Sequence, residues 1–308
     1  MSMNLIQFQP GLSMPEFLRK YGTESRCRRA LYRARWPMGF RCPACGDRRR
    51  SSFRRGAQTI YQCRACQHQS TLISGTLLQD TKLPLTTWFL AIHLLTSTKT
   101  NMAALELKRH LGISYRAAWR LKHKVMQAMT EREAPRKLNG FVQIDDAYLG
   151  GERNGGKPRR DSENKLAFLI AVETDAELEH PACVVIEPVR TFDNTALTDW
   201  AERRLAPDAE AYTGHAHTVL ETGGGRAATE IPRAGWVNAV LANVKRAISG
   251  VYHAIRQAKY ARRCLADATF RFNRRFRLAE MTPRHAHAIM ACKPCPEPSL
   301  HLTCDYSH

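Results

Sequence analysis

The sequence lacks any uninterrupted apolar run long enough to cross a bilayer: its strongest candidate, Trp88 to Leu95, is short and broken by His93. Met1 to Pro10 carries no basic side chain and no long apolar stretch, so an export leader is not expected and the protein is expected in the cytoplasm. Carboxylates are also scarce, with 28 Asp+Glu against 47 Lys+Arg, a net charge of +19. That excess argues for an anionic macromolecule as partner and against a small acidic substrate. Low complexity is absent too, and 44% hydrophobic residues in 308 positions suffice for two or three cored domains, which excludes a disordered or fibrous chain.

The charge is unevenly laid out. Residues 1–140 hold 25 Lys+Arg and 7 Asp+Glu, a net of +18, whereas 141–240 are acidic (net −7) and 241–308 basic again (net +8). A nucleic-acid grip followed by an acidic centre fits this order.

Ten cysteines in a reducing compartment point to metal ligation over disulfides where the spacing agrees. It agrees for Cys42-Pro-Ala-Cys45, seventeen intervening residues, and Cys63-Arg-Ala-Cys66. Two such turns can close a tetrahedral four-thiolate Zn²⁺ shell that leaves no open position, so the zinc is expected to be structural. Between them Arg48, Arg49, Arg50, Arg54 and Arg55 predict a ribbon with a basic tip, and Tyr61-Gln62 a strand entering the second turn. Cys292-Lys-Pro-Cys295 has no partner pair, and Cys27, Cys183, Cys264 and Cys304 read as ordinary small side chains.

From Leu83 to Met129 apolar residues recur at helical spacing, with Asn101 as a candidate cap. Leu111-Gly112-Ile113-Ser114 supplies a turn and a cap for a second helix bearing Arg116, Arg120, Lys122, His123 and Lys124. This is a helix-turn-helix pattern, in which the second helix reads the DNA major groove; a purely structural three-helix unit produces it as well.

Farther on, Gly140 to Gly151 (GFVQIDDAYLGG) reads as a β-branched strand ending in Asp145 and Asp146, a placement suited to holding a divalent cation. Lys165–Glu173, Ala182–Val189 and Ala209–Thr213 read as further strands, and Ala196–Leu205 and Gly235–Ile248 as helices. The fold class is therefore α+β multidomain: an N-terminal zinc ribbon and a helical helix-turn-helix-like unit, then a mixed β-sheet flanked by helices. In Tyr260–Arg277, Arg262, Arg263, Arg271, Arg274, Arg275 and Arg277 are expected to meet phosphates, while the interleaved phenylalanines are expected in the core.

The order of zinc ribbon, helix-turn-helix, IDDAYLGGERNGGKPRRDSENK (from Ile144), TGGG (Thr222 to Gly225), WVNAVLANVKRAISGVYHAI (from Trp236) and FRFNRRF (from Phe270) resembles bacterial insertion-sequence transposases of the ISXO-like group. The resemblance implies an RNase-H-like catalytic domain of the DDE superfamily that cleaves and transfers DNA strands with Mg²⁺ held by an acidic triad. It further implies double-stranded DNA partners, at terminal inverted repeats and at the target, and a homodimer on paired ends. It matches Asp145 to the first triad position and Asn238 to the third, with Lys245 two helical turns later as a DNA-backbone contact and Tyr252-His253 in the family's GxYH segment. The sequence departs from the pattern at the second aspartate: the Ser-Asp-Gly segment expected after the fourth strand is missing where Ala209–Gly214 runs into His215. Asp208 lies before that strand and Asp199 on a helix, so neither is well placed to replace it. A DNA-binding regulator without chemistry accounts for the basic half but not for the acidic middle.

The implied domains are an N-terminal helical segment (1–36), the zinc ribbon (37–80), the helix-turn-helix (81–135), the catalytic domain (138–284) and a loose tail (285–308).

Overall fold

The structure is a computed structural model and describes residues 11–98, 101–149, 166–177, 180–213, 235–251 and 258–301. The chain divides into two units, one of residues 1–98, 104–128 and 277–300, the other of residues 99–103, 129–276 and 301–308.

In the first unit, α1 (Met14–Tyr21) starts at a capping box in which Ser13 Oγ accepts from the Glu16 amide and Glu16 accepts from the Ser13 amide. α2 (Glu24–Arg35) follows, with Thr23 accepting from the Arg26 amide as its cap. The ribbon is an antiparallel sheet of β1 (Arg50–Arg55), β2 (Gln58–Cys63) and β3 (Gln69–Thr71). α3 (Leu85–Ser97) is apolar along most of its length and buries Trp88, Phe89, Ile92 and Leu95. α4 (Ala104–Leu111) and α5 (Tyr115–Glu133) flank a turn in which Gly112 adopts φ +65°, left-handed backbone that suits glycine. Ser114 Oγ accepts from the Ala117 amide, as a cap for α5 should. Asn101 does not cap α4: it is buried, accepts from the Met102 amide, and donates to Asp267 in the second unit's own residues.

The C-terminal residues are not a loose tail. Leu278–Glu280 forms a 3-10 turn, α9 (Met281–Ala291) packs on α2 and α3, and α10 (Glu297–His301) follows. Met281, His285, Ala288, Ile289 and Cys292 fall at helical spacing and are buried, and the His287 Nδ1 lies 2.9 Å from the Ala34 carbonyl oxygen. The boundary expected at residue 284 therefore lies earlier, at Phe276.

The second unit is built on a four-stranded sheet of order β6-β5-β4-β7: β4 (Phe141–Leu149), β5 (Leu166–Thr174), β6 (Pro181–Pro188) and β7 (Glu210–Thr213). β4, β5 and β6 run antiparallel, and β7 is parallel to β4. The crossover from β6 to β7 contains α6 (Asn194–Arg204), whose Trp200 packs with Val142, Leu169, Ala171 and Val185 on one face. α7 (Gly235–Ser249) and α8 (Ala258–Phe272) cover the other, placing Val237, Val240, Leu241, Val244 and Leu265 against Phe168, Ile170 and Val172.

The arginines expected to meet phosphates in Tyr260–Arg277 are largely internal. Arg263 is buried, Arg271 pairs with buried Asp267 at 2.7 Å, and Arg274 pairs with Glu133 at 2.6 Å. Arg275 donates to the Ala182 and Pro181 carbonyls, and burial pulls its guanidinium down to about 10. Arg277 alone of this group stays well exposed alongside Arg262, which is half-buried. As expected, Phe270 and Phe272 lie in the core or against it, whereas Phe276 is exposed.

Burial acts to raise the Glu133 pKa, but Arg274, Arg136 and a hydrogen bond from Asn273 outweigh it and hold the carboxyl below its usual value. Replacing one member of a buried pair leaves the other charge uncompensated, so Glu133→Gln is expected to destabilise the second unit by about 3–5 kcal/mol in chemical denaturation. Because the folded pKa is depressed, this contribution is present above the unfolded carboxyl value and is lost as pH falls through the folded one. The difference between native chain and variant should therefore shrink on acidification.

Candidate functional site

In the zinc ribbon, each knuckle is a Cys-x-x-Cys turn closed by backbone hydrogen bonds, Gly46 N to Cys42 O and Gln67 N to Cys63 O. The residue after each second cysteine is left-handed, Gly46 at φ +77° and Gln67 at φ +58°, so the two turns repeat one geometry. Cys42 Sγ lies 3.6 Å from Cys66 Sγ and Cys45 Sγ 3.6 Å from Cys63 Sγ, with all four sulfurs within 4.8 Å of one another. Zn–S bonds of about 2.3 Å in a tetrahedron place sulfurs about 3.8 Å apart, so the four thiols fit a structural zinc. Backbone amides of Cys45 and Ala44 draw Cys42 down to about 6. Cys45 is lowered by the Asp47 amide, but hydrogen bonds with Cys66, Cys63 and Cys42, together with burial, push it up to about 12. The other thiols behave as small side chains: Cys27, raised to about 12 by burial, donates to the Tyr21 carbonyl. Among the described residues Cys292 and Cys295 join no metal-ligand cluster.

In the second unit, strand alternation decides which acidic residue faces α7. Val142, Ile144 and Tyr148 pack on the α6 side, while Ala147 and Leu149 pack with α7 and α8. Asp145, in phase with Ala147, points to the α7 side, and Asp146 to the α6 side. One Asp145 oxygen accepts from the Asp146 amide at 2.9 Å. The buried Gln143, also in phase with Asp145, sends Oε1 to the amides of Trp236 (3.1 Å) and Val237 (3.0 Å). It thus satisfies two of the donors that a helix start leaves unpaired, and ties the first turn of α7 to the strand two residues before Asp145. Asn238 stands on that turn, half-buried, and Lys245 is exposed two turns on. Gln143 was not singled out from sequence; a polar residue at an inward strand position is the signal that could have found it.

The segments compared with known proteins are these same two. Residues 22–69 match the transposase zinc-ribbon domain model, and residues 137–273 match the ISXO2-like transposase domain model. The chain therefore carries a transposase zinc-ribbon domain and an ISXO2-like transposase domain. It is also similar to a protein of the transposable element ISH50 from Halobacterium salinarum, with 27% identity over 174 residues that cover 55% of this chain and 57% of the relative. The chain thus matches a little over half the length of that relative. No solved structure matches it.

The family resemblance expects the second aspartate just after β7. The last described residue of that strand, Thr213, pairs with Ile144, one residue short of Asp145. The sequence then continues Gly214-His215-Ala216-His217, and its next carboxylate is Glu221. Asp208 lies two residues before Glu210, which pairs with Phe141, so it is beyond the far end of the pairing, an end that is itself four strand positions or about 13 Å from the Asp145 level. Asp199 is exposed on α6, across the sheet from Asp145. Neither reaches the place of a second ligand. Apart from the four cysteines, no group of three His, Cys, Asp or Glu side chains converges among the described residues. Among the described residues the centre brings one carboxylate, Asp145, and one neutral amide, Asn238, which do not fit a pair of Mg²⁺ ions that need shared anionic oxygens. Tyr252, His253, Thr222 to Gly225 and residues 150–165 lie outside the described residues.

The helix expected to read DNA is only partly a surface. Beyond Leu121, α5 is buried on most sides: Lys122 is 1% exposed, and His123 is buried against the Trp119 ring. Lys124 donates to the Leu77 carbonyl, and its burial lowers its pKa. Lys122 and Lys124 are therefore not placed to meet a phosphate, because packing on every side of α5 takes them inward. Arg116 and Arg120 are exposed at the N-terminal end of α5, the end that contacts base edges in such units, and both pair with Glu297 of α10.

Two outcomes test these arrangements. The purified chain should carry one zinc by elemental analysis, and Cys63→Ser should lose it and melt the ribbon, seen as lost protection of β1–β3 amides in hydrogen exchange. Gln143→Leu should strand the Trp236 and Val237 amides and cost about 1–3 kcal/mol in denaturation of the second unit.

Proposed function

We propose that the chain is an insertion-sequence transposase that binds double-stranded DNA at terminal inverted repeats and has lost strand cleavage and transfer. The family assignment and the zinc ribbon support a DNA partner, and the basic first 140 residues suit a phosphate backbone. The family resemblance assigns Asp145 and Asn238 as the first and third metal ligands and Lys245, on the same helix as Asn238, as a DNA-backbone contact. The observation that carries the loss of chemistry is the β4–β7 register, with Thr213 one position short of Asp145 and no carboxylate in the seven residues that follow. Asn238 is neutral and offers a cation no charge, so Asp145 alone cannot offset two divalent ions. The expected setting is the cytoplasm, with two copies on paired ends; among the described residues no helix is long and apolar enough to cross a membrane.

On a labelled duplex carrying the element's terminal repeat, with Mg²⁺ or Mn²⁺, native chain and Asp145→Ala are expected to bind alike and to leave the strands intact. Asp145-dependent nicks or strand-transfer products would show that another group has taken the lost aspartate's place.

A further inference from the structure

We infer that the outer face of α2, together with the neighbouring strand of the ribbon, is a second DNA site, a clamp for the backbone of a duplex that works without reading bases. The inference rests on the DNA-binding function proposed above and assigns to it residues outside the helix-turn-helix. Arg28, Arg29 and Arg33 lie on α2 within about 7.5 Å of helix rise. With Arg54 of β1 they line a groove of about 770 Å³ between helix and ribbon. All four are exposed, and among the described residues none pairs with a carboxylate. The one acid lining the groove, Glu24, is engaged elsewhere: its Oε1 accepts from the Thr86 amide at 2.9 Å and from the Thr86 hydroxyl at 3.1 Å, at the start of α3. On the other flank of α2, Arg29 and Arg33 also line a second groove with Arg19, Lys20 and Arg26 and no acid. The positive surface is therefore continuous across the helix. By contrast, Arg116 and Arg120 of α5 share the Glu297 carboxylate, Arg271 of α8 pairs with Asp267, and Arg274 pairs with Glu133.

The aromatic residues of the groove decide between a duplex and a single strand. Trp36 is buried, packing edge-on against Tyr32 at 5.1 Å and Tyr61 at 5.4 Å, and the Arg50 guanidinium lies over Tyr61 at 4.8 Å while bonding the Tyr32 hydroxyl. These rings are spent on one another and on Arg50, leaving no open platform on which an unpaired base could stack. What the groove offers is guanidinium forks, which match phosphate oxygens.

The test uses the full-length, zinc-loaded chain and a short labelled DNA duplex of arbitrary sequence, with affinity followed by fluorescence anisotropy across a salt series. Each lost phosphate contact lowers the log–log salt slope by about 0.9, so Arg28→Gln/Arg29→Gln/Arg33→Gln should lower it by about 2.7 and Arg54→Gln by about 0.9. The triple lysine variant should keep the native slope, which separates lost charge from lost folding. Native slopes in the glutamine variants would overturn the clamp while leaving the proposed function standing. Tighter binding of a single strand than of the duplex would overturn the backbone assignment. No binding of the duplex by the native chain, even at low salt, would overturn both the clamp and the function beneath it.

Discussion

The nine-residue pairing of β4 with β5, in unbroken register from Phe141–Thr174 to Leu149–Leu166, fixes which side of the sheet each residue of the candidate centre faces. A slip by one residue would turn Asp145 toward α6 and bury Asp146 in its place. The same register puts Gln143 under the first turn of α7, so a single strand orients the aspartate and anchors the helix carrying Asn238. β7 runs parallel to β4, and its last described residue, Thr213, pairs with Ile144. The hydrophobic faces against α6 and α7 are packed, so on the proposed reading the loss of the second aspartate falls on the chemistry and not on the core.

The features legible in the sequence were those set by local rules. A paired Cys-x-x-Cys needs only its spacing to announce a four-sulfur site, and the apolar runs of β5 and β6 and the spacing of Val237, Val240, Leu241 and Val244 follow from burial of a strand and of a helix face. Asp145 was legible because a β-branched run delivers it. What the sequence did not reveal depends on partners distant along the chain. Arg274 looks like any basic residue until Glu133, far upstream, is placed beside it. Lys122 follows a recognition-helix pattern, yet it is buried where it stands on α5. The return of α9 onto α2 was hidden because its buried stripe mixes Thr282, His285, Ala286 and Ala288 with only three large apolar residues, Met281, Ile289 and Met290.

Charge in the two units therefore means different things. In the second unit arginines serve the fold, spanning carboxylates and strand carbonyls. In the first, Arg28, Arg29 and Arg33 of α2 and Arg54 of the ribbon are exposed and, among the described residues, pair with no carboxylate, within a stretch, residues 1–140, whose net charge is +18. On the reading proposed above, a chain with this surface and the zinc ribbon keeps the means to occupy DNA after losing the means to cut it.

The measurement that bears most directly on this account is a Mn²⁺ titration of the zinc-loaded chain followed by electron paramagnetic resonance, with Asp145→Ala in parallel. The account predicts no spin-coupled pair, and at most one weakly held Mn²⁺ that the substitution removes. Two coupled Mn²⁺ ions per chain, both lost in Asp145→Ala, would contradict it.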